Sequence, residues 1–136
     1  MSAKERLNLV VSRLAEIDPA ARVTRSVREL DHDKHTENGS RIYAVVSAGF
    51  PKFAANIPRP AEDAQHEIII LAQQKCLDTA TGEQIEDVEL EMLDKVKALA
   101  QDGFDDMCLL LKSAKGSVQQ DHPYAMQACF LMFDDL

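Results

Sequence analysis

The densest run of residues able to do chemistry is Asp31-His32-Asp33-Lys34-His35, with Glu37 two places on. Imidazole and carboxylate both bind divalent metals, and carboxylates beside an imidazole can exchange protons. The surrounding stretch, residues 31–40, carries no apolar side chain and ends in Asn38-Gly39-Ser40. A metal centre needs ligands in fixed positions backed by a second layer of bonds, and this run offers neither. It reads as a solvated arm between two strands, without a core of its own and mobile in an isolated subunit.

The remaining reactive side chains are scattered. No serine stands in a G-x-S-x-G elbow. The five glycines, at 39, 49, 82, 103 and 116, form no phosphate-cradling loop. His66 opens an apolar strand and His122 precedes Pro123, positions that suit structure or surface better than catalysis. Cys76, Cys108 and Cys129 cannot all pair within one chain and lack the close spacing of a zinc knuckle or a redox pair, so they read as buried, reduced thiols. The acidic runs Glu62-Asp63, Asp102-Asp105-Asp106 and Asp134-Asp135 suit soluble loop ends. These residues give no enzyme signature, and no catalytic residue, metal or cofactor is expected.

Composition narrows the partners. The chain has 136 residues, one ordinary domain, with 46 % hydrophobic and 28 % charged residues. Lys and Arg number 15 against 23 Asp and Glu, a net charge of -8, which argues against wrapping nucleic acid on a basic surface. No apolar run approaches the roughly 20 residues that span a bilayer, and Met1–Leu14 lacks the apolar stretch of a signal peptide. The expectation is a protein made and kept in a cytoplasm, with no membrane partner. The absence of Trp leaves little for stacking bases or sugars.

The elements follow from periodicity. Leu7, Val10, Val11, Leu14 and Ile17 share one helical face, and Pro19 stops that helix. Arg22–Leu30 reads as a weak edge strand, the polar arm follows, and Arg41–Phe50 resumes as a strand, together a long-armed hairpin. Phe50–Gln65, with Pro51, Pro58 and Pro60, is a rigid crossover. His66–Cys76 is the strongest strand, apolar on both faces at Ile68–Leu71. Thr81-Gly82-Glu83-Gln84 matches a capping box before a helix with Ile85, Val88, Met92, Leu93, Val96 and Leu99 inward, and Gly103 suits its end. Strands near Met107–Ser113 and Tyr124–Phe133 close the chain. The prediction is an α+β domain, a single mostly antiparallel sheet of about five strands with two helices packed on one face.

Two helices cover only one face of such a sheet. Ile69 and Leu71 oppose Ile68 and Ile70, and Phe130 and Met132 oppose Cys129, Leu131 and Phe133. Each such side chain is worth about 1.5–3 kcal/mol when buried, and a second wet face would be a sticky patch. Patterning alone therefore calls for a second copy of the chain, unless the proline-rich crossover folds over that face.

With the elements in this order, the chain resembles the tail terminator proteins of long-tailed bacteriophages, the minor tail protein U type. The likeness runs over nearly the whole chain: an amphipathic helix, a hairpin with a long polar arm, an apolar strand, a capped helix, and His122-Pro123-Tyr124-Ala125 leading into Cys129-Phe130-Leu131-Met132-Phe133. The resemblance implies a structural protein of the virion tail, assembled in the host cytoplasm as a ring, usually a hexamer. Such a ring stops polymerisation of the tail tube protein and offers a surface to a head-completion or connector protein. DNA passes through without specific binding.

On that reading His32, Lys34, His35, Arg41, Lys52 and Arg59 are candidate contacts to a neighbouring subunit or the tube. Asp102, Asp105 and Asp106 are candidates for an acidic lumen, because carboxylates beside a helix C-terminus run against its dipole. Two rival readings come from other classes. One is a small ligand-binding or regulatory α+β module acting as a dimer, and the other is a small hydrolase with a metal in the arm.

Overall fold

A computed structural model describes residues 2–52, 65–102, 104 and 107–135, with Lys52, Met107 and Asp135 as backbone only. The expected α+β architecture is present. Helix α1 (Ala3–Ile17) leads into a short strand β1 (Arg22–Thr24), a 3-10 turn (Val27–Leu30) and strands β2 (Arg41–Lys52) and β3 (Gln65–Lys75). Helix α2 (Gly82–Asp102) and strands β4 (Met107–Gly116) and β5 (Tyr124–Asp135) complete it. The sheet runs β1-β2-β3-β5-β4, antiparallel except where β1 lies parallel to β2.

Both helices are capped by their own sequence. Glu5 N–H donates to Ser2 Oγ at 3.2 Å while Ser2 N–H donates back to the Glu5 carboxylate. The Thr81–Gln84 box does the same for α2, at 3.2 and 2.9 Å. Leu7, Val10 and Leu14 of α1 and Ile85, Met92, Val96 and Leu99 of α2 pack on one face of the sheet, over Tyr43, Val45, Ile68, Ile70, Leu131 and Phe133. The three cysteines are unbonded: Cys76 and Cys129 are buried and Cys108 half-buried.

Three expectations need correction. Arg22–Leu30 is not the first arm of a hairpin. Ser26 N–H donates to Thr24 Oγ1 at 3.1 Å, a local bond that competes with the ladder. The strand ends after three residues, and Leu30 crosses to the other face of the sheet to pack on Ile42 and Ala44. The crossover starts later than its prolines suggest, since β2 runs through Phe50 and Pro51 to Lys52. Pro51 lies past Gly49, where the β2–β3 register has already broken. The rest of the crossover, residues 53–64, lies outside the described residues, as does Gly103. Finally, β4 continues three residues past Ser113, so the final turn is shorter than read.

Candidate functional site

Odd and even positions of the central strands divide cleanly between the two faces of the sheet. Ile42, Ala44, Val46, Ile69, Leu71, Gln73, Met126, Ala128, Phe130 and Met132 lie on the face away from the helices, aligned by register. That face has two halves.

The half near the start of β5 is covered by the arm. Tyr124 is the anchor. Its hydroxyl donates to the His35 carbonyl at 2.6 Å. The His32 ring stacks on the Tyr124 ring with centroids 3.7 Å apart and planes 6° from parallel. His32 Nε2 also reaches Asp121 at 3.3 Å. The His35 ring is 2 % exposed, between Gln73 Oε1 at 2.7 Å and the Ser40 carbonyl at 2.8 Å. Both partners are carbonyl oxygens, which only accept, so each ring nitrogen faces an acceptor. The expectation of a wholly solvated arm is thus corrected. An imidazole is a small apolar disc with two polar edges, and Gln73 and Ser40 satisfy both edges while the disc is buried.

The candidate residues do not converge. His32 and Lys34 are exposed on the arm, whereas His35 is spent inside the subunit. Arg41 points to the helix side, bonding Asp18 at 2.8 Å, Gln74 at 2.8 Å and Glu91 at 3.0 Å. Tyr43 donates to the same Asp18 carboxylate at 2.7 Å. Burial alone would raise the Asp18 pKa, but the bonds from Arg41 and Tyr43 outweigh it and hold the carboxyl below its ordinary range. Burial, reinforced by the bond to Asp18, pushes the Tyr43 hydroxyl well above its ordinary range. This network ties the end of α1 to β2, β3 and α2. Lys52 is the last residue of β2, and Arg59 lies outside the described residues. Asp102 ends α2 and pairs with Arg13 of α1 at 2.9 Å, while Asp105 and Asp106 lie outside the described residues. Among the described residues no three His, Cys, Asp or Glu side chains gather in a way that could hold a metal.

One polar pair was missed by sequence reasoning. Ser47 Oγ lies 2.9 Å from His66 Nε2. His66 is buried, stacked on Phe50 at 4.4 Å, and its Nδ1 has no hydrogen-bond partner among the described residues. Burial, and secondarily the Arg6 charge, hold its pKa below the ordinary range. Among the described residues no carboxylate reaches Nδ1 to orient the ring as the third member of a triad does. The two residues are 19 apart, and only the β2–β3 pairing signals their meeting.

The other half of the face is open among the described residues. Phe130 and Leu110 are each 40 % exposed, and Val46 and Ile69 are half-buried beside them. A shallow hollow of ≈ 230 Å³ lies there, lined by Ala48, Glu67, Ile69, Lys112, Ser113 and Phe130 among others. Strand β4 forms the adjacent sheet edge, with Lys112 and Lys115 exposed on it. The arrangement suits a protein contact better than bond-making chemistry. No model of a protein family and no curated protein matches this chain.

Proposed function

We propose that this chain is a structural assembly subunit, a tail terminator that forms a hexameric ring on the end of a phage tail tube, stops tube growth and receives the head. The observation that carries the reading is the half-open apolar face around Phe130, Leu110 and Ile69 beside the β4 edge. A face of this kind is worth covering, because each such side chain contributes about 1.5–3 kcal/mol on full burial. The terminator assignment itself rests on the resemblance in element order. In it the protein acts in the virion tail after assembly in the host cytoplasm, with the tube protein and a head-completion protein as partners.

A second reading, a dimeric ligand-binding or regulatory module, is favoured by a different feature. A cleft of ≈ 390 Å³ opens between the arm end and α2, lined by Asn38, Lys75, Leu77, Ala80, Gln84 and Val88 among others, a size that suits a small molecule. Native mass spectrometry separates the two. A terminator gives a closed multimer, alone or on tubes of its tube protein, and halts tube elongation. A dimer that leaves elongation unchanged overturns the terminator and favours the module.

A further inference from the structure

The α2 helix presents a second unusual surface on the opposite side of the molecule. Glu83, Asp87, Leu90 and Asp94 recur at spacings of four, three and four, so they form one stripe along the helix. All four are exposed. They lie opposite the Ile85, Met92, Val96 and Leu99 side that packs on the sheet. Leu90 is 50 % exposed, a large apolar side chain set among three carboxylates, with exposed Lys97 next along the stripe and 3.9 Å from Asp94.

The open half-face of the sheet has the complementary character. Phe130, Leu110 and Ile69 supply the apolar centre, and Lys112 and Lys115 stand along its β4 border. Lys112 lines the hollow itself, where Glu67 is the acidic lining residue.

We propose that copies of this chain associate head to tail, the α2 stripe around Leu90 of one copy seating on the sheet half-face around Phe130 of the next. The proposal rests on the assembly reading and specifies its contact. Charge decides between the possible pairings. Two sheet faces meeting by a two-fold axis would bring Lys112 and Lys115 towards their own counterparts. Two α2 stripes meeting antiparallel about Leu90 would oppose Asp87 to Asp94 at the centre, and Lys97, already beside its own Asp94, would offset only the outer carboxylate. Stripe on sheet sets the acidic majority of one surface, Glu83, Asp87 and Asp94, against the Lys112 and Lys115 border of the other around two apolar centres, and like charges brought together disfavour the wrong partner. The stripe and the half-face point in opposite directions, so the contact is heterologous. Each copy keeps one free surface of each kind, and the series ends only when a ring closes.

Charge reversal on exposed side chains tests this without disturbing the core. One variant carries Lys112→Glu and Lys115→Glu, and a second carries Asp87→Lys and Asp94→Lys. Circular dichroism first checks that both fold. Analytical ultracentrifugation should show each variant alone assembling at least about tenfold more weakly than the parent protein, because like charges now meet at every contact. An equimolar mixture should assemble again, since each variant then meets only the complementary surface of the other. If the parent assembles and neither variant is impaired, the docking is overturned and the assembly reading stands. Failure of the folded variants to reassemble on mixing also overturns the docking. A parent protein that stays monomeric at high concentration, with or without tube, overturns both.

Discussion

Among the described residues His66 Nδ1 has no hydrogen-bond partner, and burial sets the charge state of the ring. Burial against Phe50 and Phe133 disfavours the imidazolium. In the unfolded chain the ring takes its proton near the ordinary 6.5. Below that value the unfolded state binds a proton that the folded state still refuses. Stability therefore falls as the pH drops from 6.5 towards the lower folded pKa, and levels once both states are protonated. Asp18 acts at lower pH. Its folded pKa lies below the ordinary 3.8, so its contribution is complete above that value and is lost as pH falls through the folded one. Urea unfolding between pH 7 and pH 5 should show a slope that His66→Gln flattens, whatever that substitution does to stability at pH 7. An unchanged slope would assign the acid sensitivity elsewhere. Sequence placed His66 at a strand start but could not separate surface from core, and it put His35 on the surface. Aliphatic periodicity carries no information about a histidine whose partners lie far along the chain, as Gln73 does for His35.

Glu89 makes the same point for an element. It sits in the buried stripe of α2, and its carboxylate accepts from Met126 N–H at 2.8 Å, from Ser117 N–H at 3.3 Å and from the Ser117 hydroxyl. One carboxylate thus fixes where β4 ends and β5 begins against the helix. Replacing it with Ala orphans two backbone donors and should cost at least about 2 kcal/mol, given about 1–3 kcal/mol for each buried unpaired group. Gly116 is matched to it: an added Cβ would lie 2.7 Å from Glu89 Oε1. Gly116→Ala should therefore destabilise the parent protein, yet be neutral or stabilising in the Glu89→Ala background, where the strand gains from losing a glycine. Equal costs in both backgrounds would show that the two do not interact. The α2 boundaries were legible because the Thr81–Gln84 box and the apolar spacing are local signals. The buried Glu89 was missed, since the inward stripe was drawn through Val88, Met92 and Leu93, and the partners of its carboxylate lie across two strands. β1 starts at Arg22 and lies at the sheet edge as read, but its length was misread because two valines among polar residues fit a strand or a turn equally, and the Thr24–Ser26 bond together with the burial of Leu30 decided it.

At the scale of the whole molecule, the order of elements and the one-sided helix packing could be read from the sequence. The division of the second face into an arm-covered half and a half open among the described residues could not, because it depends on Tyr124 capturing His32 and His35 across the fold. The proposed assembly contact would carry two opposed electrostatic contributions. Each copy carries a net charge of -8, so gathering copies builds repulsion over tens of ångströms. The pairing of Lys112 and Lys115 with Asp87 and Asp94 would act at near contact. The Debye length is about 30 Å at 0.01 M salt, about 8 Å at 0.15 M and about 3 Å at 1 M. Moderate salt thus removes the long-range repulsion first and leaves the short-range attraction largely in place, while high salt screens both. Assembly should strengthen as sodium chloride rises from about 0.01 to about 0.15 M and weaken again towards about 1 M. The Lys112→Glu, Lys115→Glu variant lacks the attraction, so its assembly should only strengthen with salt over the same range. Sedimentation velocity across a salt series reads both curves. A parent protein whose assembly rises steadily to the highest salt would mean that the contact is apolar alone and that the lysines stand outside it.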